Sequence, residues 1–310
     1  LSFLLSQNRI DDMKKYIKNI VPVAALLLTM GTATSCVGDL DVTPINPNIQ
    51  TGLNIDGLFN KCYANFALAG NGGANGDCDI DGIDGGTSGF VRQTFNANEL
   101  PTDEAICGWG DDGIAGFCYN SYNAPNPMLI GLYARITTGI AYCNQYLAEA
   151  GDQDATKLAE IRFLRAYEYF SLMDGWGNIP FTLQPLTKPE RYTRAQVYEW
   201  LEKELLEIEP SLSDAKAKKS TDAGYGRVDK AACWLLLSRL YLNAEVYTGT
   251  PQWEKAKSYA KKVMDSSYKL NTTSVNGWSA YQMLFMGDNG ETDAAYEGIF
   301  PLLQDGLKTT

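Results

Sequence analysis

The sequence contains 310 residues, of which 45% are hydrophobic, and it carries a formal net charge of −11 with no histidine. The acidic balance argues against a nucleic-acid partner, because contacts with phosphates need clustered lysine and arginine. The lack of histidine excludes a Ser-His-Asp triad and removes the commonest general base and metal ligand.

The N-terminal segment has the pattern of a secretory signal. Residues 1–12 resemble nothing that follows, and we interpret them as upstream sequence. Met13 is followed directly by two lysines and then by an apolar run over 20–30. A basic start before a short apolar run is typical of an export signal. The run is too short to cross a bilayer as a helix, so it does not predict a transmembrane anchor.

A single cysteine follows this apolar run. The letters ATSC over 33–36 resemble a bacterial lipobox, in which a signal peptidase cuts before the cysteine and the cysteine is lipidated. We therefore expect residues 1–35 to be removed and Cys36 to anchor a mature domain, 36–310, at the outer membrane. The alternative is an ordinary secretory signal that leaves Cys36 as a free thiol.

A glycine-rich stretch over 70–89 follows a first predicted helix at 56–69 and predicts no regular element. Within it, Asp77, Asp79 and Asp81 alternate and precede a glycine, as at the start of an EF-hand calcium loop. The twelfth position of that loop holds serine in place of glutamate. A calcium site and a solvated acidic loop are the alternatives, and the sequence favours the acidic loop.

A second irregular stretch, over 98–126, places aromatic side chains among glycine, aspartate and asparagine. Trp109 and Tyr119 are binding candidates, because a loop aromatic has weaker obligations to the core than one on a helix. The alternative is that Trp109 pins the loop to the body of the protein. Cys107 and Cys118 could close a local disulfide in an exported chain.

The other cysteines of the presumed mature chain belong to apolar surroundings. Cys62, Cys143 and Cys233 lie among hydrophobic residues in predicted helices, and we interpret them as small core residues. The sequence has no CxxC spacing, so it does not predict a zinc site.

From residue 127 onward the pattern is helical. Apolar residues with a helical period predict helices at 128–151, 155–177, 194–212, 226–247 and 251–267, the third capped by Thr193. The last two form a hairpin that resembles a tetratricopeptide unit, in which paired helices stack into a superhelix. We therefore predict an all-α fold of tetratricopeptide-like repeats with long irregular loops. A plain antiparallel helix bundle is the alternative.

Four segments together resemble the SusD/RagB family of outer-membrane nutrient-binding lipoproteins. The first is the lipobox at Cys36. The others are LPTDEAICGWGDDG over 100–113, AEIRFLRAYEYFSLMDGWGNIPF over 159–181, and GRVDKAACWLLLSRLYL over 226–242, followed by WEKAKSYAKKVMDSSYKL and YQMLF. The resemblance covers essentially all of 36–310. Because family members are usually longer, we expect this segment to be the N-terminal part of a larger fold.

The resemblance implies a surface receptor that captures an oligosaccharide or polysaccharide and passes it to a SusC-like, TonB-dependent transporter. The helical repeats would form the scaffold and the transporter contact, and the loops would bind the glycan. Sugar rings stack on aromatic faces, and their hydroxyl groups need amide and carboxylate partners. The candidate ligand-binding residues are Trp109, Asp111, Asp112, Tyr119 and Asn120. Arg162, Arg165 and Glu160 are interpreted as structural ion-pair partners between helices, and no cofactor is expected.

Three alternatives accompany this prediction. A member of the same family could bind peptides, although the loop aromatics favour glycan. A glycoside hydrolase on a helical scaffold would need two carboxylates facing each other across a sugar, and no motif places such a pair. A helical-repeat adaptor would need neither an export signal nor glycine-rich loops. The sequence therefore favours a binding protein over an enzyme.

Overall fold

The computed structural model describes residues 53–70, 78–151 and 154–303. The export signal, Cys36 and Asp77 lie outside the described residues, so the predictions made for them stay predictions. No helix within the described ranges is long and apolar enough to cross a membrane.

The described residues fold into α-helices joined by loops and by a small β-hairpin. The helices are α1 Ile55–Ala67, α2 Gly85–Ser88, α3 Phe90–Glu99, α4 Ile114–Cys118, α5 Pro127–Glu149, α6 Ala155–Trp176, α7 Arg194–Ile208, α8 Lys230–Leu242, α9 Ala244–Thr248 and α10 Trp253–Met264. Strands β1 Ile179–Phe181 and β2 Glu190–Tyr192 pair antiparallel. Short 3-10 turns lie at Glu209–Ser211, Gln282–Phe285 and Asp293–Glu297. The predicted all-α fold with long irregular loops is confirmed.

Side-chain caps encoded in the sequence fix where the long helices begin. Asn126 Oδ1 accepts a hydrogen bond from the Met128 amide at 2.9 Å and starts α5. Asp154 does the same for α6 through the amide two residues on, at 2.8 Å. Thr193 and Gln196 form a capping box at the start of α7, which confirms the predicted cap. Such caps satisfy backbone N–H groups that have no partner inside the helix.

The core lies between successive helices. Helix α5 packs on α6, α6 packs on α7, and α8 packs on α10, as expected for stacked helical hairpins. The α6 face predicted from its period is confirmed, and its members, each at most 3% exposed, are Ala159, Phe163, Ala166, Phe170 and Met173. The opposite faces of α6 also bury polar residues, namely Glu160, Arg165 and Glu168. Helix α6 is therefore central to the core and is almost surrounded by protein.

Ion pairs between elements hold two of these buried groups, Glu160 and Arg165. Arg162 and Arg165 both pair with Glu204 on α7, at 2.7 and 3.0 Å. Glu160 pairs with Arg227, in the loop before α8, at 2.8 Å. A buried charge is costly unless it is paired and hydrogen-bonded, so these contacts are a condition of the packing. The structural interpretation of Arg162, Arg165 and Glu160 is confirmed.

Several elements differ from the sequence predictions. The one-turn helix α2 lies inside the glycine-rich stretch, for which no regular element was predicted. Helix α3 and the β1–β2 hairpin were not predicted. The helix predicted over 226–247 begins at Lys230 and is interrupted at Asn243, which separates α8 from α9. Along α10, Ala256 is buried, Ala260 and Val263 are half-buried, and Trp253 is exposed.

The aspartates weighed as a calcium site have a different role. Asp79 pairs with Lys61 at 2.7 Å and with Arg135 at 2.8 Å, and it accepts a hydrogen bond from the Tyr142 hydroxyl at 3.1 Å. Asp81 is exposed. Two cations beside Asp79 repel a calcium ion, and the described residues contain no cluster that could hold a metal. Asp79 is therefore a half-buried ion-pair partner, which contradicts the favoured prediction of a solvated acidic loop at this residue and disfavours calcium there.

The cysteines in the described residues are free. The disulfide considered for Cys107 and Cys118 is not formed, and both side chains pack against a small apolar cluster. Cys62, Cys143 and Cys233 are each fully buried in the main hydrophobic core, which confirms their interpretation as core residues.

Candidate functional site

The predicted ligand-binding residues all lie in one loop, residues 101–126, which we call the Trp109 loop. The loop rests on a small apolar cluster separate from the main core. Its buried members, each at most 2% exposed, are Leu100, Ile114, Phe117 and Met128. Helix α4 within the loop supplies two of them, so a short helix with two apolar residues ties an otherwise polar segment to α3 and α5. The loop is thus fixed at its base.

Trp109 points away from this cluster. Its side chain is 72% exposed, so it does not pin the loop to the body of the protein. The Arg92 guanidinium on α3 lies 5.8 Å from the centre of the Trp109 ring and pairs with the Asp111 carboxylate. The same guanidinium donates to the Gly86 carbonyl at 2.6 Å. Arg92 therefore connects the indole, the carboxylate and α2, and it restrains an exposed aromatic side chain.

Tyr119 and Asn120 follow helix α4 on the other side of the loop. Tyr119 is 74% exposed. Asn120 has a φ of +52°, in the left-handed region that asparagine tolerates better than most residues. Its amide nitrogen donates to the Pro101 carbonyl at 3.0 Å and closes the base of the loop. The Asn120 amide therefore stabilises the loop, whereas the Tyr119 ring is exposed and available to a ligand.

The turn before α4 depends on a glycine. Gly113 has a φ of +91°, and a Cβ there would lie 2.8 Å from Asn126 Oδ1. Asn126 also donates to the Gly113 carbonyl at 2.9 Å, so the cap of α5 doubles as a clamp on this turn. The clamp sets the path of the chain directly after Asp111 and Asp112.

The structure brings together only part of the predicted set. Trp109 and Asp111 meet through Arg92, and Asp112 is exposed beside Asp111. Among the described residues, no ring contact or hydrogen bond joins Tyr119 to Trp109. Arg92 was missed by sequence reasoning, because it lies outside the loop and belongs to no motif.

The arrangement suits a ligand that lies on the surface. An indole face with a restrained orientation can stack on the apolar side of a sugar ring, and nearby carboxylate oxygens can accept hydrogen bonds from its hydroxyl groups. The Asp111 carboxylate is already neutralised by Arg92. An open platform of this kind admits a long chain, whereas an enclosed pocket would not.

Cavities occur elsewhere in the described residues. One of about 740 Å³ lies between the 286–291 loop and the segment Pro301–Leu303, with Tyr225 at its wall. Another of about 210 Å³ lies beside the β-hairpin and is lined by Tyr169, Thr182 and several prolines. Neither is lined by a residue of the Trp109 loop. The candidate site is therefore an exposed surface and not one of these cavities.

Comparison with known proteins places these features in a family context. Residues 103–242 match a SusD-like family described as "Starch-binding associating with outer membrane". The chain is 41% identical over 304 residues to the starch-binding protein SusD of Bacteroides thetaiotaomicron, and the match covers 95% of this chain and 53% of that protein. The chain thus spans about half the length of the curated relative that it matches.

Solved structures share the fold. Surface glycan-binding protein A from Bacteroides uniformis aligns with a TM-score of 0.55 at 24% identity, over 77% of this chain and 50% of that chain. A SusD-like carbohydrate-binding protein from Bacteroides fragilis aligns with a TM-score of 0.52 at 18% identity, over 74% of this chain and 42% of that chain. At these identities the likeness concerns the fold alone.

Proposed function

The chain belongs to the SusD-like family, and on that premise we propose that it is a non-catalytic glycan-binding lipoprotein of the cell surface. It captures an oligosaccharide or polysaccharide and delivers it to a TonB-dependent transporter in the outer membrane. The single observation that carries the binding part is the exposed Trp109 ring, held by Arg92 on a loop with an apolar base. Starch is the first glycan to test, because the 41% identical relative is named for it.

The charges near Trp109 support binding without hydrolysis. Hydrolysis of a glycosidic bond needs one carboxyl group that gives a proton and a second that attacks or activates water. The Asp111 carboxylate is already engaged in an ion pair with the Arg92 guanidinium. The pair Asp111 and Asp112 therefore serves as hydrogen-bond acceptors for sugar hydroxyl groups.

The export signal and the lipobox support a location at the cell surface. Cleavage before Cys36 and acylation of that residue would place the helical domain on the outer-membrane surface. Stable anchoring needs more than one acyl chain, and the lipidated cysteine of a bacterial lipoprotein carries several. In this arrangement the stacked helices face the transporter and the Trp109 loop faces the glycan.

Native gels that contain a polysaccharide test the binding proposal. We expect starch, or another glycan of a panel, to retard the purified full chain. Trp109→Ala should weaken that retardation by about tenfold or more in apparent affinity, because it removes the stacking surface. Circular dichroism establishes that each sample has the helical fold.

Trp253→Ala is the matched control, because this tryptophan is 58% exposed on α10 and belongs to a helix outside the loop. The control should bind glycan as the unaltered chain does. Retardation that is equal in both variants would place the glycan site outside the Trp109 loop. A folded protein that no glycan retards would contradict glycan binding by this chain and would favour a peptide ligand.

A further inference from the structure

The short helix α2 lies directly on α5, and its backbone makes a close contact there. Gly131 is buried on α5, and a Cβ at this position would lie 2.1 Å from the Thr87 carbonyl oxygen of α2. Because a backbone oxygen cannot rotate out of the way as a side chain can, any other residue at 131 would force α2 away from α5. The approach of the two helices therefore depends on this glycine.

One turn further along α5, Arg135 binds the end of α2. Its side chain is 0% exposed. The Arg135 Nε donates to the Ser88 carbonyl at 2.8 Å, and Nη2 donates to Ser88 Oγ at 3.0 Å. A planar guanidinium that makes several hydrogen bonds is held in one orientation, so it fixes its acceptors in turn. We call Gly131 and Arg135 the α2-binding pair.

The same guanidinium joins α2 to the core. The Arg135 Nη1 donates to Asn65 Oδ1 on α1 at 3.1 Å. Its Nη2 donates to the Ala69 carbonyl at 2.8 Å and pairs with the Asp79 carboxylate at 2.8 Å. These partners lie on α1 and on the chain between α1 and α2. The position of α2 is therefore set by a buried hydrogen-bond network and not by contacts at the surface.

Helix α2 in turn supplies an acceptor that holds Arg92. The Gly86 carbonyl, two residues before Ser88, accepts a hydrogen bond from Arg92 Nη1 at 2.6 Å. The other contacts of this guanidinium are with exposed groups, namely the Asp111 carboxylate and the Trp109 ring. A shift of α2 would move the Gly86 carbonyl and release Arg92, and the indole would then lose its restraint.

We propose that Gly131 and Arg135 are positioning residues for the Trp109 ring, and that they act through α2 and Arg92. Neither residue can touch a ligand, because both are buried. The inference rests on the proposed function for the identity of the ligand, whereas the positioning itself is a property of the free protein. A ring that is already ordered binds a sugar without first losing side-chain freedom, so the α2-binding pair contributes to affinity by preorganisation.

Two variants disturb the α2-binding pair by different means. Arg135→Lys keeps a positive charge in the core but lacks the planar fork that binds several acceptors at once. Gly131→Ala adds a methyl group that the α2 backbone has to avoid. Ser88→Ala removes a single acceptor of Arg135 and replaces Arg135→Lys where that variant does not fold. Circular dichroism of the full chain shows which variants keep the helical fold.

The first readout needs no ligand. The full chain is labelled with 5-fluorotryptophan, and the fluorine resonance of Trp109 is assigned by its absence from Trp109→Phe. We expect each variant of the α2-binding pair to shift or broaden this resonance, because the indole leaves its single environment beside Arg92. The resonance of Trp253, on α10, should stay where it is in the unaltered chain.

The second readout is the retardation of the same samples in native gels that contain starch. We expect the apparent affinity of each variant to fall about two- to tenfold, because the indole then has to be ordered on binding. In an Arg92→Ala background the same substitutions should cause no further fall, since the link between α2 and Trp109 is already absent.

Cys233→Ala is the matched control. It removes a buried side chain from α8, where the thiol contacts the Leu205 carbonyl at 3.5 Å, and it should change neither the Trp109 resonance nor the retardation. An unaltered Trp109 resonance in folded variants of the α2-binding pair would overturn the proposal. Losses of affinity that add in full to the loss in Arg92→Ala would overturn it as well. A resonance that moves in a protein that no glycan retards would support the positioning and contradict the proposed function.

Discussion

At the scale of single residues, the core holds two glutamates in opposite electrostatic settings. Glu168 on α6 is fully buried, and its main partner is the Asn65 amide, which donates to Oε1 at 2.8 Å. Burial raises the pKa of Glu168 well above its ordinary range, and Cys143 raises it further. Burial of Glu204 acts in the same direction, but the hydrogen bond from Arg162 and the charges of Arg165 and Arg162 outweigh it. The net effect is a lowered pKa for Glu204.

We expect Glu168→Gln to stabilise the fold increasingly as pH rises. A carboxyl group whose pKa is higher in the folded state holds its proton there after the unfolded chain has lost it, so folding stability falls as pH rises above the ordinary pKa. Glutamine keeps the acceptor for Asn65 and cannot ionise. The gain at neutral pH is about 1.4 kcal/mol for each unit of pKa displacement that glutamine removes. Thermal melts from about pH 5 to pH 8 measure it.

Glu204→Gln is the control with the opposite sign. Its lowered pKa gives stability that is present above the ordinary carboxyl pKa and is lost as pH falls through the lowered value. The variant should be less stable than the unaltered chain near neutral pH, and that difference should shrink in acid. A difference between Glu168→Gln and the unaltered chain that stays constant with pH would show that Glu168 is charged in the folded protein.

Sequence reasoning could identify the residues whose environment is set by their neighbours in the chain. Trp109 was predicted to be a binding candidate because its neighbours in the chain are glycine and aspartate, and the structure exposes its ring. Arg92 acquires its role only when α3 and the Trp109 loop are brought together in space. In the sequence, Asp79 belongs to a group of alternating aspartates, but in the structure its partners Lys61 and Arg135 come from α1 and α5. Long-range partners of this kind leave no pattern in one sequence.

At the scale of elements, the long helices could be predicted because their apolar residues recur regularly and their caps are written in the sequence. Helix α3 could not, because the side chains that it buries are Phe90, Gln93 and Asn96. Two of these are amides that bond to each other at 3.1 Å, so an inward face looks polar in the sequence. The strands β1 and β2 are three residues each, too short for an alternating pattern, and a stacked Phe181–Tyr192 pair joins them.

The packing of α1, α5 and α6 depends on Gly139. We expect Gly139→Ala to lower the free energy of unfolding by about 1–3 kcal/mol, the usual cost of overfilling a packed core. A Cβ at this position would overlap both the Glu168 carboxylate and the Asn65 amide, which are buried and hydrogen-bonded to each other. Chemical denaturation followed by circular dichroism measures the change.

Gly175→Ala provides the matched comparison. Gly175 lies in α6, and a Cβ there would meet no atom within 4 Å. Alanine should therefore stabilise that helix by about 0.5–1 kcal/mol, because glycine loses more conformational freedom on folding. Equal effects of the two substitutions would show that helix propensity, and not close packing at Gly139, determines the result.

At the scale of the whole molecule, the sequence predicted the family and the fold more completely than it predicted the binding site. Several separated motifs supported the resemblance, and the match to a SusD-like family agrees with it. Stacking of neighbouring helices follows from periodic apolar faces that have to be buried against each other. A glycan platform needs no fixed motif, because any exposed aromatic ring with polar neighbours can serve. The candidate site therefore depends on exposure and contacts that only the folded chain supplies.

The attachment of the whole protein to the membrane is the last prediction. No helix in the described ranges can cross a bilayer, and the chain has a net charge of −11, which gives no general attraction to an anionic membrane surface. Acyl chains on Cys36 would attach the chain to the membrane, since each buried CH₂ contributes about 0.8 kcal/mol.

We expect the full chain, produced in a bacterium that processes lipoproteins, to incorporate a palmitate analogue and to sediment with membranes. Cys36→Ala should lose the label and appear in the soluble fraction, whereas Cys233→Ala should keep both properties, because Cys233 is buried in the core. Equal labelling of Cys36→Ala and the unaltered chain would disprove the lipid anchor at this position. Loss of the label without release from the membrane would mean that a protein partner, such as the proposed transporter, is sufficient to retain the chain.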